Sequence, residues 1–228
     1  MKIRIFDTYE QMCQAAADLV AAQLLLKPDS HLGLTAGKTP VGMFAELIKL
    51  YQAGRVSFSN AWFYNLEEKM GVASQDELSC HSYLHQHLLD HVDAKPERLR
   101  LPDGLSQDVE EECVRYEALL NSLPDGRLDM QILGIGSDAH IGMNRPAQAL
   151  TSACHRVERP AFTYAAMGVR SILLAKRIVL LANGEDKAQA VADMCGGTIS
   201  AEVPATLLQL HPEVTILLDR GAAAKIQA

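Results

Sequence analysis

Apolar positions along the chain keep switching between a period of two and a helical period. Lys2–Phe6 alternates and is rich in Ile, which predicts a short strand. Tyr9–Leu26 carries Met12, Ala16, Leu19, Val20 and Leu24 at helical spacing, with Asp7 or Thr8 placed to cap it. Residues 31–35 predict a second strand, 36–40 a turn, and 41–53 a helix that admits Pro40 at its start. A third strand, dense in aromatics, is predicted at 61–65. Helices follow at 79–92 and 109–120. An apolar strand at 129–133 runs into Gly134-Ile135-Gly136, and a nearly continuous apolar strand at 177–182 precedes a helix at 187–194. The last strand is predicted at 214–218 and a short terminal helix at 221–226.

Strands that alternate with helices make βαβ units, and these build a mainly parallel sheet covered on both faces. The expected fold class is therefore α/β, doubly wound and Rossmann-like, with three layers. No repeat, low-complexity stretch or linker divides the sequence, so residues 1–228 are expected to form a single domain. Ligands of such sheets bind where loops converge beyond the carboxyl ends of the strands. That places the weight on the loops 35–40, 65–69 and 134–146.

Composition narrows the partners. The chain has 228 residues, 48% hydrophobic and 21% charged, with a formal net charge of -7. This is globular composition, and its acidic surface repels nucleic-acid backbones, so no nucleic-acid partner is expected. A small anionic substrate stays compatible, because a local pocket can be positive on a negative protein. There is no secretory signal and no run of about 18 apolar residues, so no membrane association is expected. Five cysteines without a CxxC pair read as reduced thiols, and the expected location is cytoplasmic. His81 and His85, and likewise His87 and His91, are four apart on one helix, but no third ligand accompanies them, so no metal site is expected. His211 is expected to pack or to cap a turn.

Four motifs carry candidate chemistry. In Leu34-Thr35-Ala36-Gly37-Lys38-Thr39-Pro40, a glycine permits close backbone approach just before a helix start, where free N–H groups favour an anion. Lys38 and Thr39 add a charge and a hydroxyl, although the Walker spacing is absent. In Asn65-Leu66-Glu67-Glu68-Lys69, two carboxylates stand at a strand end. Neighbours in extended chain face opposite ways, so one of them enters the site. In 133–146, Asp138 lies two residues from His140 and can orient it and raise its basicity. In Gly184-Glu185-Asp186-Lys187-Ala188, a lysine occupies a helix N-terminus, where it opposes the dipole unless it reaches an anion. Taken alone, the first motif reads better as a plain strand-to-helix turn and the second as a solvated acidic loop. The third is the most informative, although a bare Asp-x-His is common in surface loops, and the fourth reads equally well as a tolerated surface lysine.

Taken in order, these segments resemble the glucosamine-6-phosphate deaminase and 6-phosphogluconolactonase family. Further support comes from Ala53-Gly54-Arg55-Val56-Ser57-Phe58, Ala166-Met167-Gly168-Val169-Arg170-Ser171-Ile172 and Val203–His211, so that the resemblance spans roughly residues 1 to 224. It implies an open α/β fold and a sugar-phosphate substrate. The implied activity is sugar ring opening, C2–C1 proton transfer and ammonia release, with no metal or organic cofactor. By the same resemblance, Gly37, Lys38, Thr39 and Lys187 hold the phosphate. Glu67 is the proton-transfer carboxylate, and His140 opens the ring, oriented by Asp138. A homo-oligomer is left open.

Several positions depart from the family pattern. The proton-transfer residue is usually Asp, and Glu67 is longer by a methylene. Ala139 replaces the Gly of Asp-Gly-His, where a positive φ would be costly. Arg145 stands where deaminases carry Glu. The segment between 150 and 167 is shortened, which removes part of a lid and its phosphate-binding arginine. Arg145, Arg156, Arg159 or Arg170 could replace that contact. Three functions therefore stand side by side: a deaminase or isomerase of an amino-sugar phosphate, a 6-phosphogluconolactonase-type hydrolase in which His140 activates water, and a sugar-phosphate sensor that has lost the chemistry.

Overall fold

The computed structural model describes residues 1–147 and 149–226. Its centre is a parallel sheet built from β1 (Lys2–Phe6), β2 (His31–Leu34), β3 (Trp62–Asn65), β5 (Leu99–Arg100), β6 (Met130–Gly134), β9 (Ile178–Ala182) and β10 (Val214–Asp219). The spatial order is β1-β10-β9-β6-β2-β3-β5. β9, Ile-Val-Leu-Leu-Ala, is buried at every position, as expected for a strand covered on both faces. β1 lies at the edge, its residues largely exposed, with Lys2 and Arg4 discouraging further pairing.

Side chains alternate between two cores. Ile132, Val179, Leu181 and Leu217 face α1 (Tyr9–Leu26) and α2 (Val41–Gln52), packing on Met12, Ala16, Val20, Phe44 and Leu47. Leu133, Ile178, Leu180, Ile216 and Leu218 face the other way, onto Tyr116 and Leu120 of α4 (Val109–Asn121) and Val191 and Met194 of α6 (Ala188–Cys195). Thr8 caps α1, its side chain accepting from the Gln11 N–H. Gly33 is needed on β2 because Gln131 crosses over it; an added Cβ would lie 2.1 Å from Gln131 Oε1.

The chain winds outward from β2 to β3 and β5, then crosses back to β6 on the other side of β2. The connections after β2 and β6 therefore diverge, and a crevice opens at the carboxyl ends of these two central strands.

Some elements differ from the sequence expectation. The helix at 79–92 divides into α3 (Cys80–His87) and a 3-10 turn (Leu89–His91), because Leu88 leaves helical geometry at φ -145. Residues 221–225 form turns rather than a helix. A second, antiparallel sheet was not expected: β4 (Glu67–Lys69) pairs with β8 (Thr163–Ala166), which pairs with β7 (His155–Glu158). A short helix, α5 (Val169–Leu173), follows it.

Candidate active site

The crevice is a cavity of about 410 Å³. The loop after β2 supplies residues 35–40, the start of β4 supplies Glu67, the end of β6 and the loop after it supply Gly134, Gly136 and His140, and the loop after β9 supplies Asn183, Asp186 and Lys187.

The first wall is made of loops tied to each other. Gly37 takes φ 135, open to glycine alone, which turns the backbone toward α2. Its carbonyl accepts from the Tyr83 hydroxyl of α3. Tyr9 clasps the same loop, donating to the Thr39 carbonyl at 2.9 Å while accepting from Gly42 N–H at 2.9 Å. Thr39 Oγ1 donates to Asn183 Oδ1 at 2.8 Å, joining the β2 and β9 loops. Asp219 holds the latter, accepting from the Gly184 N–H. Lys38 and Lys187 bring positive charge to this end; Lys187 Nζ is 3.0 Å from Asp186.

The two adjacent carboxylates part as the strand rule requires. Glu68 turns to α3, where it accepts from Ser79 Oγ and from the N–H groups of Cys80 and His81, at 2.8 to 3.0 Å. That saturates it as a helix cap. Glu67 lines the cavity, buried at 8% exposure, and its Oε2 has no partner. Burial, reinforced by the charge of Glu68, pushes its carboxyl up to about 7. It is therefore divided between acid and base at neutral pH. The Asn65 side chain donates to the Glu67 carbonyl at 2.7 Å and fixes the turn that presents it.

The opposite wall is the loop after β6. His140 Nδ1 is 2.5 Å from Asp138 Oδ1. Arg145 Nη2 donates to Asp138 Oδ2 at 2.6 Å. His140 sits below the usual imidazole range because burial outweighs the opposing pull of Asp138, with Arg145 and Lys187 lowering it further. It is neutral at pH 7. With Nδ1–H directed to Asp138, Nε2 carries the lone pair. Burial would raise the Asp138 carboxyl, but hydrogen bonding and charge from His140, with Arg145, hold it below the usual range. Gly136 is obligatory, since a Cβ there would lie 2.1 Å from His140 Nδ1 and 2.7 Å from Asp138 Oδ1. A buried, ionisable carboxylate and an oriented neutral imidazole thus share one cleft with a cationic, N–H-rich loop. This set can move protons on a phosphorylated polyol.

Comparison with known proteins agrees with this reading. Residues 7–217 match the family model for glucosamine-6-phosphate isomerases/6-phosphogluconolactonase. The chain belongs to that family. The glucosamine-6-phosphate deaminase of Halothermothrix orenii is 40% identical over 98% of this chain and 99% of its own. Glucosamine-6-phosphate deaminase 1 of Bacillus subtilis is 41% identical with the same coverage. A solved structure of a monomeric glucosamine-6-phosphate deaminase superposes with a TM-score of 0.95 at 40% identity, covering 99% of this chain and 100% of that one. A 6-phosphogluconolactonase from Leishmania guyanensis, at 24% identity and a TM-score of 0.76, shares the fold. The family description names the hydrolase as well, but this solved lactonase resembles the chain at the level of the fold.

Within this family the chain's departures acquire geometry. Ala139 does adopt a positive φ, 61°, and is buried. It is held there by hydrogen bonds from its N–H to the Gly136 carbonyl and from Ala205 N–H to its own carbonyl, both 3.0 Å. Arg145 does not line the cavity; its guanidinium is engaged by Asp138. Arg170, expected as a phosphate ligand, is not brought to the cleft either. It faces α4, where it donates to Glu117 at 3.2 Å and Asn121 at 3.1 Å. Arg156 pairs with Glu110 and Glu158, and Arg159 opens the β7–β8 turn. The shortened segment has become a tight hairpin on α4, and the cavity has no lining residue from it. His211 is buried, its Nε2 donating to the Ala175 carbonyl and its Nδ1 accepting from Glu213 N–H. Asn183, Tyr9 and Tyr83 were missed by sequence reasoning. Asn183 stands at a strand end next to a glycine, a signal that was present; the two tyrosines come from distant helices and gave none. Among the described residues no group of His, Cys, Asp and Glu could hold a metal, and no helix is long and apolar enough to cross a membrane.

Proposed function

We propose that this chain deaminates an amino-sugar phosphate of the glucosamine-6-phosphate class, converting it with water to the 2-keto sugar phosphate and ammonia. The observation that carries the reading is Glu67: a buried carboxylate with an unpartnered oxygen, poised near neutrality, in the same cleft as His140. The 40% identity to deaminases over nearly the whole chain supports it. His140 Nε2 takes the proton of the C1 hydroxyl and returns one to the ring oxygen, opening the ring to the aldehyde. Glu67 removes the C2 proton, the substrate's own ammonium passes a proton to the aldehyde oxygen O1 to give the neutral enolamine, and Glu67 then returns its proton to C1. The resulting iminium at C2 is hydrolysed, releasing ammonia. Asp138 keeps the His140 tautomer through Nδ1. The Gly37–Thr39 backbone, Lys38 and Lys187 receive the phosphate. A lactonase needs only an imidazole to activate water, which leaves Glu67 without a task. We place the enzyme in the cytoplasm, consistent with its five free cysteines.

The test is ammonia release by purified protein from glucosamine-6-phosphate and galactosamine-6-phosphate, run beside hydrolysis of 6-phosphogluconolactone. Ammonia release with deuterium from heavy water entering C1 of the product is expected. Lactone hydrolysis without ammonia release would replace this reading with the hydrolase.

A further inference from the structure

Arg145 completes the relay wall without facing the cavity. Its Nη2 donates to Asp138 Oδ2 at 2.6 Å, and its Nη1 lies 3.4 Å from His140 Nδ1. His140 Nδ1 approaches the other oxygen, Asp138 Oδ1, at 2.5 Å. So short a contact with a carboxylate puts the ring hydrogen on Nδ1, which leaves that nitrogen no lone pair for the guanidinium. Two donors, one of them permanently charged, therefore converge on a single carboxylate.

We propose that Arg145 is a positioning residue: it shares Asp138 with His140, locks the imidazole in its Nδ1–H tautomer, and keeps it unprotonated as the pH falls. The proposal rests on the ring-opening role assigned to His140. When His140 takes the C1 hydroxyl proton at Nε2, the imidazolium formed lies beside a guanidinium, and the Asp138 charge that would stabilise it is already engaged. His140 is thereby a base that passes its proton promptly to the ring oxygen and stays available in mildly acidic solution. The other ionisable groups that share its cavity are Glu67 at the start of β4, Lys38 after β2, and Asp186 and Lys187 after β9.

Histidine ¹⁵N resonances of the full chain, with His140 assigned by its loss in His140→Asn, test this directly. They would be followed from about pH 5 to 8, the range in which imidazoles titrate. Thermal melts establish that each variant is folded, and Arg145→Met supplies a second neutral variant beside Arg145→Gln. The expected midpoints are unchanged in Arg145→Lys, raised by about one pH unit in the neutral variants, and raised further in Arg145→Glu, as removal and then reversal of a nearby charge require. A common midpoint in all the folded variants would overturn the proposal. The titration needs no substrate. Ordered shifts in a protein that releases no ammonia would sustain the role of Arg145 in the wall while removing the deaminase reading, and a common midpoint in an active deaminase would do the reverse.

Discussion

The two walls of the cleft are built by different means. The wall formed by the β2 and β9 loops offers backbone N–H groups, a helix start and two lysines, steadied from behind by Tyr9, Tyr83 and Asp219. Its binding groups are directed outward, and losing one leaves the rest in place. The wall formed by the β6 loop is made of side chains locked into one another: Asp138 to both His140 and Arg145, Gly136 beneath them, Ala139 in a strained turn, while Glu67 lines the same cavity with an unpartnered oxygen. There, each group sets the protonation state of the next. Substitutions in the first wall should therefore weaken binding by increments, whereas those in the second should stop turnover.

The strongest break in that contrast comes from the adjacent carboxylates. Glu67→Gln should lower kcat by about a thousandfold or more, within the range of a lost general base. Glu68→Gln should cost about 2 kcal/mol of stability in a denaturant melt, through its lost helix-capping bonds, with a far smaller effect on kcat. His140→Asn comes next, with kcat reduced by about a hundredfold to ten-thousandfold and substrate binding retained in calorimetry. Lys187→Ala should raise KM by about ten- to a hundredfold, the worth of one charge-assisted hydrogen bond, with kcat and thermal stability kept.

Glu67 also couples stability to pH. Its folded carboxyl, near 7, lies above the ordinary value of 4.5, so the folded state holds a proton that the unfolded chain has released. This contribution is full below about pH 4.5, declines as pH rises toward 7, and is gone above it, amounting to on the order of 3 kcal/mol. Glu67→Gln should flatten that part of the stability profile. The smallest effect is expected at the strained turn. Ala139→Gly relieves the positive φ but adds freedom to the unfolded chain, for a net gain of about 0.5 kcal/mol.

The central strands and long helices were legible because their signals are local. β9 is an unbroken apolar run, and α1 carries its period and its cap within its own residues. The antiparallel sheet was not legible. His-Arg-Val-Glu and Thr-Tyr-Ala-Ala lack a clear apolar alternation, and their pairing with Glu67–Lys69 spans about a hundred residues of chain. In the site, Glu67 and the Asp138–His140 pair could be read because strand-end position and spacing reveal them. The division of labour between Glu67 and Glu68 was half visible: the period of two separates them, but only the fold shows that α3 takes Glu68. Arg170 went astray because a charge has no direction in a sequence, and the nearer acceptors were Glu117 and Asn121. The meaning of Arg145 depended likewise on Asp138 having a second oxygen to give it.

The most direct test of the account is ammonia release from glucosamine-6-phosphate by wild type, Glu67→Gln and Glu68→Gln, with sugar-phosphate binding measured on each by calorimetry. Turnover is expected in wild type, binding without turnover in Glu67→Gln, and turnover retained by folded Glu68→Gln. Ammonia release by Glu67→Gln at a rate near that of wild type would contradict it.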